Sequence, residues 1–420
     1  MGMEMHNMKK LCLSNGLRLI IDQVPNSRSI SIGVMIRVGT KHETKKTNGI
    51  AHFIEHLLFK NRIGSDNLYG NIYIEELGGK INAFTGKEFT CFYMHILNEY
   101  LNEALCILRD MVFSFSISNF DFENEKRVVI QEIYQYQDNT LEKVKIASLA
   151  HALGESSYAF DILGTVSNIE SFTLTEVYEF YRKFYLSNNT VVSISGDVKE
   201  DMLHDIVKIL ENIGFGKTVD KKTQPIMFNG GINYIPIHSQ EYQSHMCILF
   251  PAISSDVPMR EYYTYYIMSH LFGVGRNSRL NKVLREERGL VYNIQSHPIV
   301  FEEVGLFRIL ASTGKENLWD VHSAIMEVIE SVKEVGITLD EFNRSKRVLK
   351  SEIIFLTENT IQRMFFFGQE ELLGIHKSSD VDKILETIDA IDVWEVENTL
   401  KGIFDDIYSL TVTIPPSASV

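Results

Sequence analysis

Apolar residues recur along this chain with two different spacings, which separate strands from helices. Alternating apolar residues from Ile30 to Val38 predict a half-buried strand, whereas the apolar stripe over 101–112 marks one face of a helix. The pair Asn15-Gly16, between two apolar runs, is typical of the tight turn of a β-hairpin. Since both types of element occur, we expect a fold of the α+β class, in which helices cover a sheet.

Further elements follow from the same reasoning. The segment 81–96 is rich in Phe, Thr and Tyr and predicts a long strand region, preceded by a helix that ends at Gly78-Gly79. Another strand is predicted at 190–194, ending at Gly196. Strands and helices are thus expected throughout the first half of the chain.

The segment 48–60 predicts a mostly buried amphipathic helix that carries His52-Phe53-Ile54-Glu55-His56. Side chains four positions apart share a helix face, so His52 and His56 could close on one metal ion, with Glu55 in the same sector. Burying two imidazoles and an acid together is costly unless something compensates them, and a metal ion does so. We therefore favour a metal site over a hydrogen-bonded structural cluster.

Two imidazoles do not complete a catalytic zinc site, which usually has three protein ligands and one position for water. The best candidate for the third ligand is Glu132, in a helical run with Asn119 as its expected N-cap. Glu125 lies two turns earlier on the same face and is expected to orient a ligand. Zinc held in this way lowers the pKa of bound water towards ~7, and Glu55 would act as the general base.

The second half of the chain repeats part of the first. Of the sixteen positions from Glu125 to Thr140, seven are identical at 345–360. This repeat predicts a duplicated domain. We expect homologous domains at 1–215 and 232–420, each a mostly antiparallel sheet covered by helices, joined by a linker at 216–231.

The second copy does not keep the complete set of candidate ligands. It carries His270 and Glu352 where the first copy has one histidine and Glu132, but Tyr266 and Ser269 stand in place of the other histidine and the acid. An incomplete set cannot form the same site. We therefore expect the chemistry to belong to the first half, with His270 and Glu352 packed or solvated.

Taken in order, these motifs resemble those of the M16 (pitrilysin-type, inverzincin) zinc metallopeptidases, especially short bacterial members and the β subunit of the mitochondrial processing peptidase. In that family H-x-x-E-H is followed by a glutamate ligand at the spacing that separates His56 from Glu132. Segment 78–85 resembles the family's substrate strand, and segment 284–292 its distal arginine and tyrosine pair. The resemblance covers nearly the whole chain. It implies a LuxS/M16-type metallohydrolase fold with one Zn²⁺ per chain.

The resemblance also implies how substrate is held. Asn82 and Ala83 would bind an extended peptide by strand addition, and Arg285 and Tyr292 would reach the substrate backbone and the tetrahedral intermediate. Without the resemblance, 82–83 could belong to an ordinary buried strand, and Arg285 to a solvated, charged helix face.

Short family members enclose substrate in a chamber of four such domains, so the resemblance implies that this two-domain chain pairs. The zinc motif and the arginine and tyrosine pair occur on one chain. This combination favours a homodimer, with a heterodimer containing a related subunit as the alternative.

Composition excludes several partners and compartments. The net charge of -14 and the pI of about 5.5 argue against nucleic acid or an anionic membrane as a partner. No window approaches the ~18 apolar residues of a membrane span, and the amino terminus lacks the apolar core of a signal peptide. The four cysteines lie in apolar contexts without C-x-x-C spacing, so we expect buried free thiols in a cytoplasmic protein.

The sequence therefore predicts a cytoplasmic zinc endopeptidase that hydrolyses short or unfolded peptides in a closed chamber. One alternative is a dedicated protease for a leader or precursor peptide, acting with a partner subunit. The other is a non-catalytic subunit of the same fold, which the intact first-half motif argues against.

Overall fold

The computed structural model describes residues 8–63, 68–216, 226–236, 242–405 and 407–414. The strands, in chain order, are β1 (Met8–Cys12), β2 (Arg18–Gln23), β3 (Ser29–Ile36), β4 (Arg62–Ile63), β5 (Leu68–Tyr69), β6 (Lys80–Thr85), β7 (Thr90–Leu97), β8 (Thr190–Gly196), β9 (Gly231–Pro236), β10 (Gln243–Ala252), β11 (Val291–Val300), β12 (Gly305–Gly314) and β13 (Ser409–Ile414). The helices, in chain order, are α1 (Ile50–Leu58), α2 (Gly70–Glu76), α3 (Leu101–Phe113), α4 (Asn119–Asp138), α5 (Thr140–Leu153), α6 (Val166–Ser171), α7 (Leu174–Phe184), α8 (Leu203–Glu211), α9 (Met259–Phe272), α10 (Leu318–Val335), α11 (Leu339–Leu356), α12 (Thr360–Leu373), α13 (Val381–Ala390) and α14 (Val393–Asp405).

Two mostly antiparallel sheets organise these elements. The first has the strand order β1-β2-β8-β3-β7-β6, in which only β2 and β8 run parallel. The second has the order β11-β12-β10-β13-β9, with β13 and β9 as its parallel pair. The α+β fold with helix-covered sheets is therefore confirmed, and so is the hairpin at Asn15-Gly16.

The apolar periodicity also located most elements of the first half. The strand β3, the amphipathic helix α3 and the buried helix α1 all lie where the pattern predicted them. Strand β3 is buried and not half-buried as predicted, because α12 packs on it as well as α3. The core beside the first sheet is formed where α1 and α3 pack on its strands and α7 packs on α1, with apolar side chains such as Phe53, Leu108 and Val177. Helix α1 therefore lies between the sheet and α7.

Three local predictions were wrong. The strand region 81–96 is two strands, β6 and β7, because the chain turns back where the Gly86 N–H donates to Phe89 O. Asn119 is the first residue of α4 and not its cap, since Ser118 Oγ accepts from the Asp121 N–H. Cys12 is exposed and Cys106 only half-buried, although the described cysteines are free thiols as expected.

The chain packs into two compact units that are not contiguous in sequence. Unit 1 comprises Met1–Gln135, Phe160–Thr223 and Phe355–Ser379, and unit 2 comprises Tyr136–Ala159, Gln224–Ile354 and Asp380–Val420. Helix α5 therefore packs on β10 and β13 of unit 2, and α12 on β2, β3 and β8 of unit 1. The predicted domains 1–215 and 232–420 do not describe the packing of these two helices. Most of the predicted linker, 216–231, lies outside the described residues.

Helix α12 packs closely on strand β3 of unit 1 at two glycines, one on each element. A Cβ at Gly33 of β3 would collide with Met364, and one at Gly368 of α12 would collide with Met35. Beside this contact, Arg363 forms a buried bidentate ion pair with Asp22 of β2. The close packing at the two glycines and the buried ion pair together hold α12 on the first sheet.

Across the described ranges, we find no helix with the length and apolar character needed to cross a membrane.

Candidate metal centre

Helices α1 and α4 bring three predicted ligands together in unit 1. Glu132 Oε2 lies 3.2 Å from His56 Nε2 and 3.8 Å from His52 Nε2. One ligand atom from each of the three side chains lies within 4.8 Å of the others. Within the part of the chain that the structure describes, this is the one group of three such side chains with that geometry.

The three atoms suit a tetrahedral zinc ion. Zinc bonds of roughly 2.0–2.1 Å to nitrogen and oxygen place neighbouring ligand atoms about 3.3–3.4 Å apart, close to the two separations observed. His52 Nδ1 is buried without a hydrogen-bond partner, and the His52 side chain is 9% exposed, so the ring depends on its other nitrogen for a polar contact. Two imidazoles and a carboxylate are also a donor set that catalytic zinc accepts. The residues therefore fit the metal.

Glu125 orients one of the imidazoles. Its Oε1 lies 2.9 Å from His56 Nδ1, and Lys60 Nζ lies 3.2 Å from its Oε2. When His56 Nδ1 carries the proton and donates it to Glu125, the lone pair of Nε2 is directed towards Glu132. The sequence predicted that Glu125 lies on the same face of α4 as Glu132. It did not indicate a role for Lys60, because a lysine just after the end of a helix is usually an ordinary surface cation.

The electrostatics of the cluster favour positive charge between its carboxylates. Burial and the neighbouring His56 lower the pKa of His52 to about 4, which keeps this ring in the neutral form that binds metals. Burial would also lower the pKa of His56, but hydrogen bonds to Glu125 and Glu132 outweigh it and raise the pKa to about 9. The hydrogen bond with His56 holds the pKa of Glu132 below its ordinary value. A field that holds a proton at His56 also favours a metal cation.

Glu55 occupies the same helix but faces a different partner. Thr85 Oγ1, at the end of β6, donates to Glu55 Oε2 over 2.5 Å. Burial raises the pKa of Glu55 to about 7, although the Thr85 hydrogen bond and the charge of His56 lower it. Thr85 was not singled out from the sequence, yet it closes the segment 78–85 that carried the strand prediction.

Asn82 and Ala83 lie on β6, the edge strand of the first sheet. The Ala83 N–H donates to Asn82 Oδ1 over 2.8 Å and not to β7, so it points to the open side of the strand. The Asn82 side chain is exposed. The edge is therefore accessible for a further strand.

Arg285 and Tyr292 belong to unit 2. Arg285 is exposed on the π-helical turn Asn281–Glu287, and Tyr292 is 59% exposed on β11. Tyr292 also borders an open cavity of about 800 Å³, which His245 and Ser312 line as well. Both predicted residues thus present free side chains on the surface of their unit.

The repeat of the site in unit 2 is incomplete, as the sequence indicated. His270 Nε2 lies 3.2 Å from Glu352 Oε2, the same separation as between His56 and Glu132. Ser269 Oγ instead donates to the Ser296 carbonyl. One imidazole and one carboxylate remain, and they lie in contact with each other.

Comparison with known families agrees with this arrangement. Residues 18–166 match the sequence profile described as insulinase (peptidase family M16), and residues 171–349 match the one described as peptidase M16 inactive domain. The chain belongs to peptidase family M16. It is 29% identical to the uncharacterised zinc protease YmxG of Bacillus subtilis, over 97% of this chain and 98% of the relative. An uncharacterised zinc protease of Streptomyces coelicolor is 28% identical, over 97% of this chain and 89% of that protein.

Solved structures show the same M16 fold. A protease from Helicobacter pylori superposes with a TM-score of 0.87 at 20% identity, covering 98% of this chain and all (100%) of that one. A protein from Pseudomonas fluorescens described as a peptidase M16 inactive domain gives a TM-score of 0.89 at 18% identity, with 99% of each chain covered. This M16 chain therefore has the fold of its family, and its relatives are named as zinc proteases.

Proposed function

We propose that this M16 chain is a zinc-dependent endopeptidase that hydrolyses short or unfolded peptides, with Glu55 as its general base. The observation that carries the proposal is the cluster of His52, His56 and Glu132, with Glu55 on the same helix. A carboxylate that is not needed as a ligand is thereby placed beside a metal-binding triplet. Metal-assisted amide hydrolysis uses that combination.

A zinc ion bound by the triplet would supply a Lewis acid and a water of lowered pKa. Glu55 accepts the proton of the attacking water and returns it to the leaving amine. In the absence of a metal ion, burial raises the pKa of Glu55 to about 7. A zinc ion held by the three ligands would lower this pKa and so favour the carboxylate form, which accepts a proton. The hydrogen bond from Thr85 occupies Oε2, which leaves Oε1 for the water.

Strand β6 supports binding of an extended peptide. An added strand would accept from the outward Ala83 N–H once the Asn82 side chain swings away. Thr85, at the end of the same strand, holds Glu55, so a peptide paired along β6 would run towards the general base. Backbone pairing tolerates many side chains, which agrees with substrates of varied sequence.

The proposal extends to residues of unit 2 and to pairing of the chain. Arg285 and Tyr292 are proposed to contact the substrate backbone and to stabilise the tetrahedral intermediate, since both are exposed. We propose that two copies form a closed chamber in the cytoplasm, because one chain carries both sets of residues. An Arg285→Ala enzyme with unchanged kcat/KM would remove this residue from the mechanism.

A second candidate is a dedicated processing protease for a leader or precursor peptide, working with a related subunit. The match of residues 171–349 to a profile described as an inactive domain favours such a division of roles. The same match is compatible with a non-catalytic subunit, in which the first-half cluster would have no catalytic use.

Digestion of a mixed peptide library by the purified full-length chain tests these candidates. If many peptides are cut and a chelator abolishes the cutting, the result supports general peptide turnover. If only a few peptides are cut in this chelator-sensitive way, it supports dedicated processing. The Glu55→Gln chain is the matched control: it should bind zinc normally but lose at least about a hundredfold in kcat, the lower range for general base catalysis. Substantial activity in Glu55→Gln removes Glu55 from its role, and no cuts by the unmodified chain contradict an independent peptidase.

A further inference from the structure

Helix α1 starts at a residue that has no side chain to cap it. Its N-cap is Gly49, with φ of 97°, in the left-handed region that favours glycine. The first N–H groups of any helix have no partner within the helix and need another acceptor. Here the acceptor comes from outside the helix.

That acceptor is Glu43, whose two carboxylate oxygens each serve the start of α1. Oε1 accepts from the Ala51 N–H over 2.9 Å, and Oε2 accepts from the Gly49 N–H over 2.9 Å. Oε2 also accepts from Asn48 Nδ2, again over 2.9 Å. The Glu43 side chain is completely buried. Three donors thus define the position of one carboxylate.

The surroundings fix Glu43 and the helix start together. Asn48 Nδ2 also donates to the Asp161 carbonyl over 2.7 Å. A Cβ at Gly49 would lie 2.7 Å from Leu163 O, so this backbone is seated directly on the loop 161–164. The half-buried Lys87 faces both Glu43 and Asp161 as a countercharge. The beginning of α1 is therefore bound on several sides.

Capping a helix with a buried carboxylate carries a free-energy cost, because the charged group must leave water. Burial raises the pKa of Glu43 to about 7 against its hydrogen bonds from Asn48, Ala51 and Gly49, whereas an exposed Ser or Asp would cap a helix without that penalty. What distinguishes α1 is that His52 is its third residue, one position after the Ala51 amide that Glu43 holds. A small shift or rotation at this end would displace both candidate ligands.

We propose that Glu43 is a positioning residue of the metal centre, whose carboxylate sets the placement of α1 so that His52 and His56 are arranged for a metal ion before it binds. Glu125 holds the far end of the same pair through His56. The helix is then fixed at both ends of its ligand-bearing face. This inference rests on the metal site of the proposed function, but not on peptide hydrolysis.

The test compares metal binding by the unmodified chain and Glu43→Gln, with Zn²⁺ in a chelator competition and Co²⁺ as a spectroscopic probe. Glutamine replaces one oxygen by an NH₂ group, which must face a helix N–H. We expect a zinc Kd weaker by about ten- to a hundredfold, as for other groups that orient ligands, and an altered visible Co²⁺ spectrum.

Glu176→Gln is the matched control. Glu176 caps α7 in the same unit by accepting from the Thr173 N–H over 2.9 Å, but α7 carries no candidate ligand. This variant should keep the zinc Kd and the Co²⁺ spectrum of the unmodified chain, even where its Tm falls. Equal loss of affinity in both variants, or none in Glu43→Gln, would overturn the positioning role.

A shorter acid provides a second variant if Glu43→Gln does not fold. Glu43→Asp keeps the charge but cannot reach all three donors, so its zinc Kd should weaken about tenfold. Unchanged affinity in this folded variant would also overturn the inference. Peptide cleavage is measured in parallel: a chain that binds zinc but cleaves nothing contradicts the proposed function, while the affinity ratio alone decides the role of Glu43.

Discussion

Asp22→Asn probes the contact that fastens α12 to unit 1. Arg363 Nε lies 2.6 Å from Asp22 Oδ2, and Arg363 Nη2 lies 2.5 Å from Oδ1. The two side chains are 5% and 0% exposed. Ser195 Oγ donates to the same carboxylate over 2.5 Å. Asparagine leaves one oxygen and turns an NH₂ group towards the guanidinium.

The expected loss of stability in Asp22→Asn follows from the burial of the ion pair. Removing one partner of a buried ion pair leaves an uncompensated charge and costs about 3–5 kcal/mol. Since about 1.4 kcal/mol corresponds to a tenfold change in an equilibrium constant, local opening of α12 should become roughly two to three and a half orders of magnitude more frequent.

Hydrogen exchange measured by mass spectrometry over residues 360–373 reports this opening directly. Amides of α12 should exchange faster in Asp22→Asn by that factor. The double variant Asp22→Asn with Arg363→Met should recover most of the protection, because no buried charge remains. Asp389→Asn, which breaks the partly exposed pair of Lys350 and Asp389, is the control and should change stability by less than about 1 kcal/mol.

An unchanged exchange rate of α12 in Asp22→Asn would refute the reasoning. Equally fast exchange of the α12 amides in the double and single variants would also refute it. The loss of protection would then come from altered packing and not from the unpaired charge.

Three further predictions concern substrate, metal and acid stability. Ala83→Pro removes the outward N–H of an edge strand, so KM for peptides should rise at least about tenfold while Tm, read by circular dichroism, changes little. Glu125→Gln should weaken the zinc Kd by about ten- to a hundredfold in a chelator competition, because His56 loses its charged acceptor. Burial alone would raise the pKa of Glu341, but hydrogen bonds from Arg279 and Thr338 lower it to about 2; this partly buried group should contribute about 1–2 kcal/mol to stability above pH 4.5, and that contribution is lost as pH falls from 4.5 towards 2.

Ala83→Ser keeps the N–H and should bind peptide normally; if the proline variant does so too, strand addition at this residue is wrong. Unaltered zinc affinity in Glu125→Gln would show that His56 is oriented by other contacts. Unfolding of Glu341→Gln in denaturant should differ from that of the unmodified chain at pH 7 but not near pH 2. Both tryptophans, Trp319 and Trp394, lie in unit 2 with Glu341 and report its unfolding by fluorescence.

The sequence by itself determined what depends on local spacing. Apolar periodicity placed α1, α3 and β3, because a residue's burial on a helix or strand recurs with the geometry of that element. One helical turn between His52 and His56 made them neighbours whatever the rest of the chain does. The repeat at 345–360 showed that the second copy lacks the full ligand set, since residue types can be read without coordinates.

Tertiary structure alone decided which distant residues meet. The ion pair of Asp22 with Arg363, the cap that Glu43 gives to α1, and the hydrogen bond from Thr85 to Glu55 join segments whose separation carries no periodic signal. The sequence also did not show that α5 packs in unit 2 and α12 in unit 1. The apolar face of an amphipathic helix shows that the helix packs on an apolar surface, but not on which of two similar sheets. At Gly33 and Gly368 the absence of a Cβ leaves room for Met364 and Met35, a fit between α12 and the first sheet that only folded coordinates reveal.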